Sequence, residues 1–142
     1  MIGADTTFLV QLEAVEHPDH ESALALLHRE IVTPSVPLGI APMVIAEFLH
    51  IVTDSRRFSS PLSMEVATRR ARYWWSCHEV THVFPNSESL SLTLDWIDLH
   101  RLGRKRILDT QLAAAYWAAG IKTVITSNPS DFKVLGLQTI QP

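Results

Sequence analysis

Four acidic residues stand within or just beyond stretches of the chain that are otherwise apolar. Asp5 closes the run Met1 to Asp5, and Glu47 lies inside Met43-Val44-Ile45-Ala46-Glu47-Phe48-Leu49. Asp109 opens a pattern that continues through Leu112 to Ala118, and Asp131 follows Thr126-Ser127-Asn128-Pro129. A carboxylate at the margin of a core costs free energy unless it is paired or coordinates a metal. No Lys or Arg adjoins any of the four in sequence. A hard cation with oxygen ligands, Mg²⁺ or Mn²⁺, is the economical partner for such a set. Each acid also has a plainer reading. Asp5 could cap a helix starting at Thr6 or Thr7, Asp109 could be an N-cap, and Asp131 could satisfy loop backbone. Glu47 could sit at a solvated helix edge, but it borders the apolar arc of Val44, Ile45, Phe48, Leu49, Ile51 and Val52.

The elements that must position these acids alternate in kind. Short apolar runs at Met1–Asp5, Val36–Ile40, Val80–Phe84, Lys122–Thr126 and Leu137–Ile140 read as strands. Between them, helical patterns cover Thr6–Ala14, Asp19–Ile31, Met43–Thr53 with Pro42 as first helical residue, and Ser60 to about Cys77. Two more run from Asn86 or Ser87 to Leu102, where Gly103 ends the helix, and from Ile107 to Ala119, where Gly120 does. Strands separated by helices of this length predict an α/β fold with a mostly parallel sheet. In such sheets ligands bind beyond the carboxyl ends of the strands, which is where the acids fall.

At 142 residues, 46% hydrophobic and 19% charged, the chain reads as one domain over residues 1–142 with room for a sizeable core. Twelve Lys and Arg against fifteen Asp and Glu give a net charge of -3, which excludes a histone-like coating of nucleic acid. The single Cys77 excludes an internal disulfide framework and a Cys-rich zinc site, and fits a reducing compartment. The opening Met1-Ile2-Gly3-Ala4-Asp5 lacks the basic start of a signal peptide, and no apolar run approaches a membrane span. The expectation is a cytoplasmic protein that does not enter the membrane.

The segments Ala4-Asp5-Thr6-Thr7-Phe8-Leu9-Val10, Ala46-Glu47-Phe48, Ile107-Leu108-Asp109-Thr110-Gln111-Leu112-Ala113-Ala114 and Thr126-Ser127-Asn128-Pro129-Ser130-Asp131-Phe132 resemble the PIN domain. The nearest likeness is to the VapC-type ribonuclease toxins of toxin–antitoxin pairs. The resemblance spans essentially the whole chain, with the acids in the family's order. It implies a PIN-like three-layer α/β/α fold around a five-stranded sheet. It also implies a metal site of Asp5, Glu47 and Asp109, with Asn128 or Asp131 as a fourth position and Thr6 and Thr126 in support. The implied activity is that of a Mg²⁺- or Mn²⁺-dependent endoribonuclease acting on tRNA or another structured RNA, leaving a 5′-phosphate and a 3′-hydroxyl. The implied partners are a cognate antitoxin and a second copy of the chain. Many relatives carry Asn or Ser where Thr7 stands, and some carry an acid in place of Asn128.

An RNA substrate requires cations as well. Arg101, Arg104, Lys105 and Arg106 crowd the turn leading into Asp109 and could track phosphates without reading sequence. Arg56, Arg57, Arg69, Arg70 and Arg72 form a second group; the plain reading of both is a solvated basic face. The segments His17-Pro18-Asp19-His20 and Cys77-His78 with His82 lack a complete zinc ligand set, and Trp74-Trp75 should divide between core and surface. The rival reading is a non-catalytic α/β binding module, either a degenerate PIN or a receiver-like domain. A receiver needs paired acids after its first strand, and Asp5 stands alone there; a degenerate PIN would have lost site acids, and none is lost.

Overall fold

The computed structural model describes residues 1–142. Five short strands form a single all-parallel sheet: β1 (Ile2–Ala4), β2 (Leu38–Ile40), β3 (Val80–His82), β4 (Thr123–Ile125) and β5 (Gln138–Ile140). Their spatial order is β3-β2-β1-β4-β5, with Gly3 aligned on Gly39 and on Val124. The chain therefore builds outward from β1 to β3, then returns across the sheet to β4. Right-handed crossovers on either side of that reversal place the helices on opposite faces. Helices α1 (Thr6–Glu13), α2 (His20–Leu27), α3 (Pro42–Val52) and α4 (Met64–Ser76) pack on one another in series. Helices α5 (Ser87–Leu99), α6 (Ile107–Ala118) and α7 (Pro129–Lys133) form the second layer.

Strand β2 is buried along its whole length and β1 and β4 are nearly so, as a parallel sheet covered on both faces requires. The core joins Phe8, Leu9, Ile40, Phe48, Tyr116, Ile125 and Phe132. Helix α6 lies directly on the sheet, and two glycines make this possible. A Cβ at Gly3 would stand 2.7 Å from the Tyr116 ring, and one at Gly39 would stand 2.7 Å from Ile121. The Tyr116 hydroxyl donates to the carbonyls of Ala4 and Gly39, at 2.6 and 3.0 Å, which seats α6 above β1 and β2.

Several boundaries differ from the sequence reading. Helix α4 begins at Met64, not at Ser60-Pro61, because the Ser63 hydroxyl accepts from Val66 N and caps it there. The helix expected over Asp19–Ile31 becomes α2 followed by a π turn at His28–Val32. Helix α5 stops at Leu99, three residues early, with Arg101 taking the left-handed conformation (φ 51°) usually left to glycine. Asp131 lies in α7, a short helix that the sequence reading left as a turn. The sheet is wholly parallel, where mostly parallel was expected.

Candidate active site

The reversal of strand order between β1 and β4 opens a crevice at their carboxyl ends, and Asp5 sits in it. It is the residue after β1, its amide donates to the Ile125 carbonyl of β4, and it is only 4% exposed. Both carboxylate oxygens are engaged. Oδ1 accepts from Thr6 N (2.7 Å), and Oδ2 accepts from the hydroxyls of Thr7 (2.9 Å) and Thr126 (2.7 Å). Asp5 is thus the N-cap of α1 as well as a site candidate, so the two readings of this residue coincide. Burial pushes its carboxyl above the usual range even though all three donors act to lower it.

Asp109 reaches the same crevice by helical geometry. It stands seven residues before Tyr116, hence on the same face of α6 and about 10 Å further along the axis. Because Tyr116 is anchored over β1, Asp109 projects past the strand ends toward Asp5. It is not an N-cap: α6 starts at Ile107, after a 3₁₀ turn at Arg104–Arg106. Its carboxyl is pushed up to about 6, first by burial and then by the charges of Asp5, Asp131 and Glu47, with Arg106 opposing. Asp5, Asp131 and Glu47 thus all lie within electrostatic reach of Asp109.

Glu47 arrives from α3, which begins one residue after β2 with Ala41 and Pro42 at its start. Its Oε2 accepts the hydroxyl of buried Thr6 at 2.7 Å, a direct link from α3 to the start of α1. Glu47 itself is exposed, where the apolar arc placed it against the core. The buried stripe of α3 is narrower than that arc: Val44, Phe48 and Val52 are covered, whereas Ile45, Leu49 and Ile51 are only partly so. Thr6 and Thr126, expected in support of the site, each donate a hydroxyl to one of these acids. Thr126 also accepts from Asn128 N at 2.9 Å.

Asp131 carries a cation of its own. Arg106 Nη1 lies 3.1 Å from its Oδ1, and Nη2 donates to its backbone carbonyl. The Nε of Arg106 is buried without a partner. Asn128 is exposed and its side chain makes no hydrogen bond to the protein, and the charge of Asp131 acts on Asp109. Arg101, Arg104 and Lys105 are exposed beside the crevice, and none is engaged in an ion pair. The second basic group is more committed: Arg56 and Arg57 turn to Asp54, and Arg70 to Glu13. The tryptophans divide as expected, Trp74 buried with its Nε1 donating to Glu13, and Trp75 half-buried and stacked on His82.

No group of three or more His, Cys, Asp or Glu side chains is drawn together into a metal-binding geometry. The donor chemistry nevertheless suits a hard cation. Asp5, Glu47 and Asp109 are acceptor groups with no ion pair to any base, and repulsion from Asp5, Asp131 and Glu47 adds to burial in raising Asp109. A cavity of about 490 Å³ elsewhere, between α3 and α4 and lined by Ile45, Leu49, Ala71 and Trp75, has no acid in its lining.

No protein-family model matches the sequence, and no curated protein matches it. Solved structures do. Mycobacterium tuberculosis VapC20, described as a Sarcin-Ricin loop cleaving toxin, superposes with a TM-score of 0.75 at 18% identity over 100% of both chains. The fold is the PIN-like α/β/α fold of the VapC toxins. VapBC2 from Rickettsia felis, bound to a promoter DNA fragment, gives a TM-score of 0.67 at 18% identity over 99% of this chain and 98% of that one. FitAcB from Neisseria gonorrhoeae gives 0.67 at 14% identity over 99% and 96%. No helix of the chain is long and apolar enough to cross a membrane.

Proposed function

We propose that this chain is a divalent-metal-dependent endoribonuclease, the toxin half of a toxin–antitoxin pair. The observation that carries the reading is that Asp5, Glu47 and Asp109 stand within electrostatic reach of one another around the β1/β4 switch point without a balancing base, Asp109 being pushed up to about 6 first by burial and then by its acidic neighbours. The fold shared with VapC20 supports an RNA substrate, and the fold shared with VapBC2 and FitAcB supports an antitoxin partner.

Asp5, Glu47 and Asp109 would hold Mg²⁺ or Mn²⁺, with Asp131 as the fourth acid. A metal held there would supply an acidified water as nucleophile and positive charge against the phosphoryl oxygens. The chain's own groups prepare the site. Three donors lock the Asp5 carboxylate in one orientation, and the Thr6 hydroxyl does the same for Glu47 Oε2. Preorganisation of this kind matters because rotation of either carboxylate would have to be reversed at each turnover. Arg106 holds Asp131 and the start of α7 beside Asp109, and it tempers the negative field. Arg101, Arg104 and Lys105 supply unpaired positive charge for flanking phosphates. Exposed Leu90, Leu94 and Leu99 of α5, with Leu108 of α6, offer apolar surface to a protein partner, the antitoxin or a second copy.

The test is cleavage of structured RNA by the purified chain in Mg²⁺ or Mn²⁺ against chelator. Asp5→Ala and Asp109→Ala, each shown to be folded by circular dichroism, should lose at least about 100-fold in rate, since even residues behind a metal ligand commonly contribute 10- to 100-fold. Wild-type rates in either variant at saturating metal, or no metal-dependent cleavage of any RNA tried, would overturn the proposal.

A further inference from the structure

At the β3 edge of the sheet, three aromatic side chains gather that the acidic crevice does not use. Val83 is buried, so the alternation of the chain turns His82 and Phe84 to the opposite face, where α4 packs. There His82 lies flat on Trp75 of α4, with ring centroids 3.8 Å apart and planes 6° from parallel. Its Nε2 is 2.7 Å from the Trp75 carbonyl, which holds the imidazole in that orientation. The Phe84 ring stands upright beside the pair, 6.1 Å from Trp75 and 6.2 Å from His82 and near-perpendicular to both. Yet His82 is exposed and Phe84 is 62% exposed. Aromatic rings held in fixed orientations and left open to water form a surface that lacks a neighbour.

The surroundings select the class of that neighbour. Trp75 also walls the 490 Å³ cavity between α3 and α4, whose lining adds Thr68, Arg72 and Ser76 and holds no acid. Of the five arginines in the second basic group, Arg69 and Arg72 are the two without an ion pair, and they stand exposed one helical turn apart on α4. Open rings beside unbalanced cations match a nucleotide, with a π face for the base and charge for its phosphates. An apolar peptide would fill the cavity but leave both arginines unpaired and the imidazole without a plane to meet. The cluster also lies at the same end of the sheet as the acids. The register that aligns Gly3 with Gly39 and Gly39 with Thr81 sets His82 level with Ala4, the residue before Asp5, two strands and so about 10 Å across the sheet. Between them lies the start of α3 at Ala41 and Pro42, and Pro42 lines the same cavity as Trp75.

We propose that Trp75, His82 and Phe84 form a stacking site for one unpaired base of an RNA strand flanking the cleaved phosphate, with Arg69 and Arg72 on the adjoining phosphates. The base continues the Trp75–His82 stack, and Phe84 borders it. Every base has a π face, so the site distinguishes unpaired from paired RNA more than it reads sequence. That the bound strand is one to be cleaved rests on the nuclease reading above; the stacking itself does not.

The test is fluorescence anisotropy of the full chain in chelator at low salt, with an end-labelled oligoadenylate of about ten nucleotides as probe. Phe84→Ala and His82→Ala, both at exposed positions, should each weaken binding about tenfold, the scale of losing one base–aromatic stack. Phe84→Tyr, which keeps the ring, should bind as the wild type does. A strand of the same length without bases should bind the wild type more weakly and lose nothing further with Phe84→Ala. Arg72→Gln should weaken both strands alike and reduce the salt slope by about 1. Circular dichroism checks the fold of each variant, and Phe84→Ala alone decides should His82→Ala fail to fold. Wild-type affinity in the alanine variants, or a baseless strand bound as tightly as oligoadenylate, overturns the proposal and leaves the cluster to a protein partner. Absence of any binding overturns it as well. Metal-dependent cleavage with unchanged binding in the variants would sink the stacking site and leave the nuclease standing. Loss of binding in the variants, with no cleavage by the wild type in any metal, would do the reverse.

Discussion

Replacing Asp109 by Asn should make the metal-free protein more stable, and by an amount that depends on pH in a defined way. The ordinary carboxyl value is 3.8, and in the folded chain burial and the charges of Asp5, Asp131 and Glu47 raise it to about 6. A raised carboxyl means that the folded state binds the proton more tightly than the unfolded state does. Stability is therefore highest below pH 3.8, falls as pH rises toward 6, and is level above that. On that curve the ionised carboxylate costs about 1 kcal/mol at pH 4.5, inside the window, and about 3 kcal/mol at pH 7.5, above it. Partial exposure and salt screening bring the pH 7.5 figure to about 2 kcal/mol. Asparagine keeps the shape and removes the charge. In chelator at pH 7.5, Asp109→Asn should then melt roughly 4–8 °C above the wild type for a chain of this size, with the gap shrinking to about a third at pH 4.5. Millimolar Mg²⁺ or Mn²⁺ should raise the wild-type melting temperature and leave the variant's little changed, because a ligand that binds only the folded state stabilises it by mass action. The assay is thermal unfolding by circular dichroism at both pH values, with and without metal. An Asp109→Asn protein no more stable than the wild type at pH 7.5, or a gain independent of pH, would refute the electrostatic account of the site.

Two further outcomes follow from individual contacts. Arg106→Gln removes the one cation that lowers the Asp109 carboxyl and frees Asp131, so the pH at which Mn²⁺ begins to stabilise the chain should move upward; an unshifted profile would show Arg106 to be only structural. Gly3→Ala drives a Cβ to within 2.7 Å of the Tyr116 ring, so urea unfolding should show a loss of about 1–3 kcal/mol, and an unchanged midpoint would mean that α6 is not seated as described.

Much of the fold was legible in the residues. Five apolar runs alternating with helical patterns gave the class, the five strands and six of the seven helices, three of them (α1, α3 and α6) at nearly their observed bounds, because period and punctuation are local properties of a chain. The start of α4 was misread because Ser60-Pro61 imitates a helix start, whereas the hydroxyl that accepts from the first turn is that of Ser63. Helix α7 was missed because five residues show no period. The arc on α3 placed Glu47 against the core, since helical periodicity gives a direction and not the distance to what lies there.

The four acids could be named from sequence because Asp5, Glu47 and Asp109 are charged residues in apolar settings and Asp131 lies just beyond a strand end. Their partners could not. That Thr126 donates to Asp5 across 121 residues, that Thr6 holds Glu47 and that Arg106 is taken up by Asp131 depend on the sheet reversing at β1 and bringing β4 alongside. Gln11 is the clearest case. Within α1 it reads as an ordinary polar position, and only the packing that closes over it leaves one amide oxygen buried and unpaired beside Asp19 and Ser127. Local sequence thus determined which residues carry charge and where the elements run, through forces acting over a few residues. The tertiary structure decided which charges are balanced, which polar atoms lack a partner and which surfaces adjoin, because burial and Coulomb interaction depend on distances that the chain sets only once it is folded.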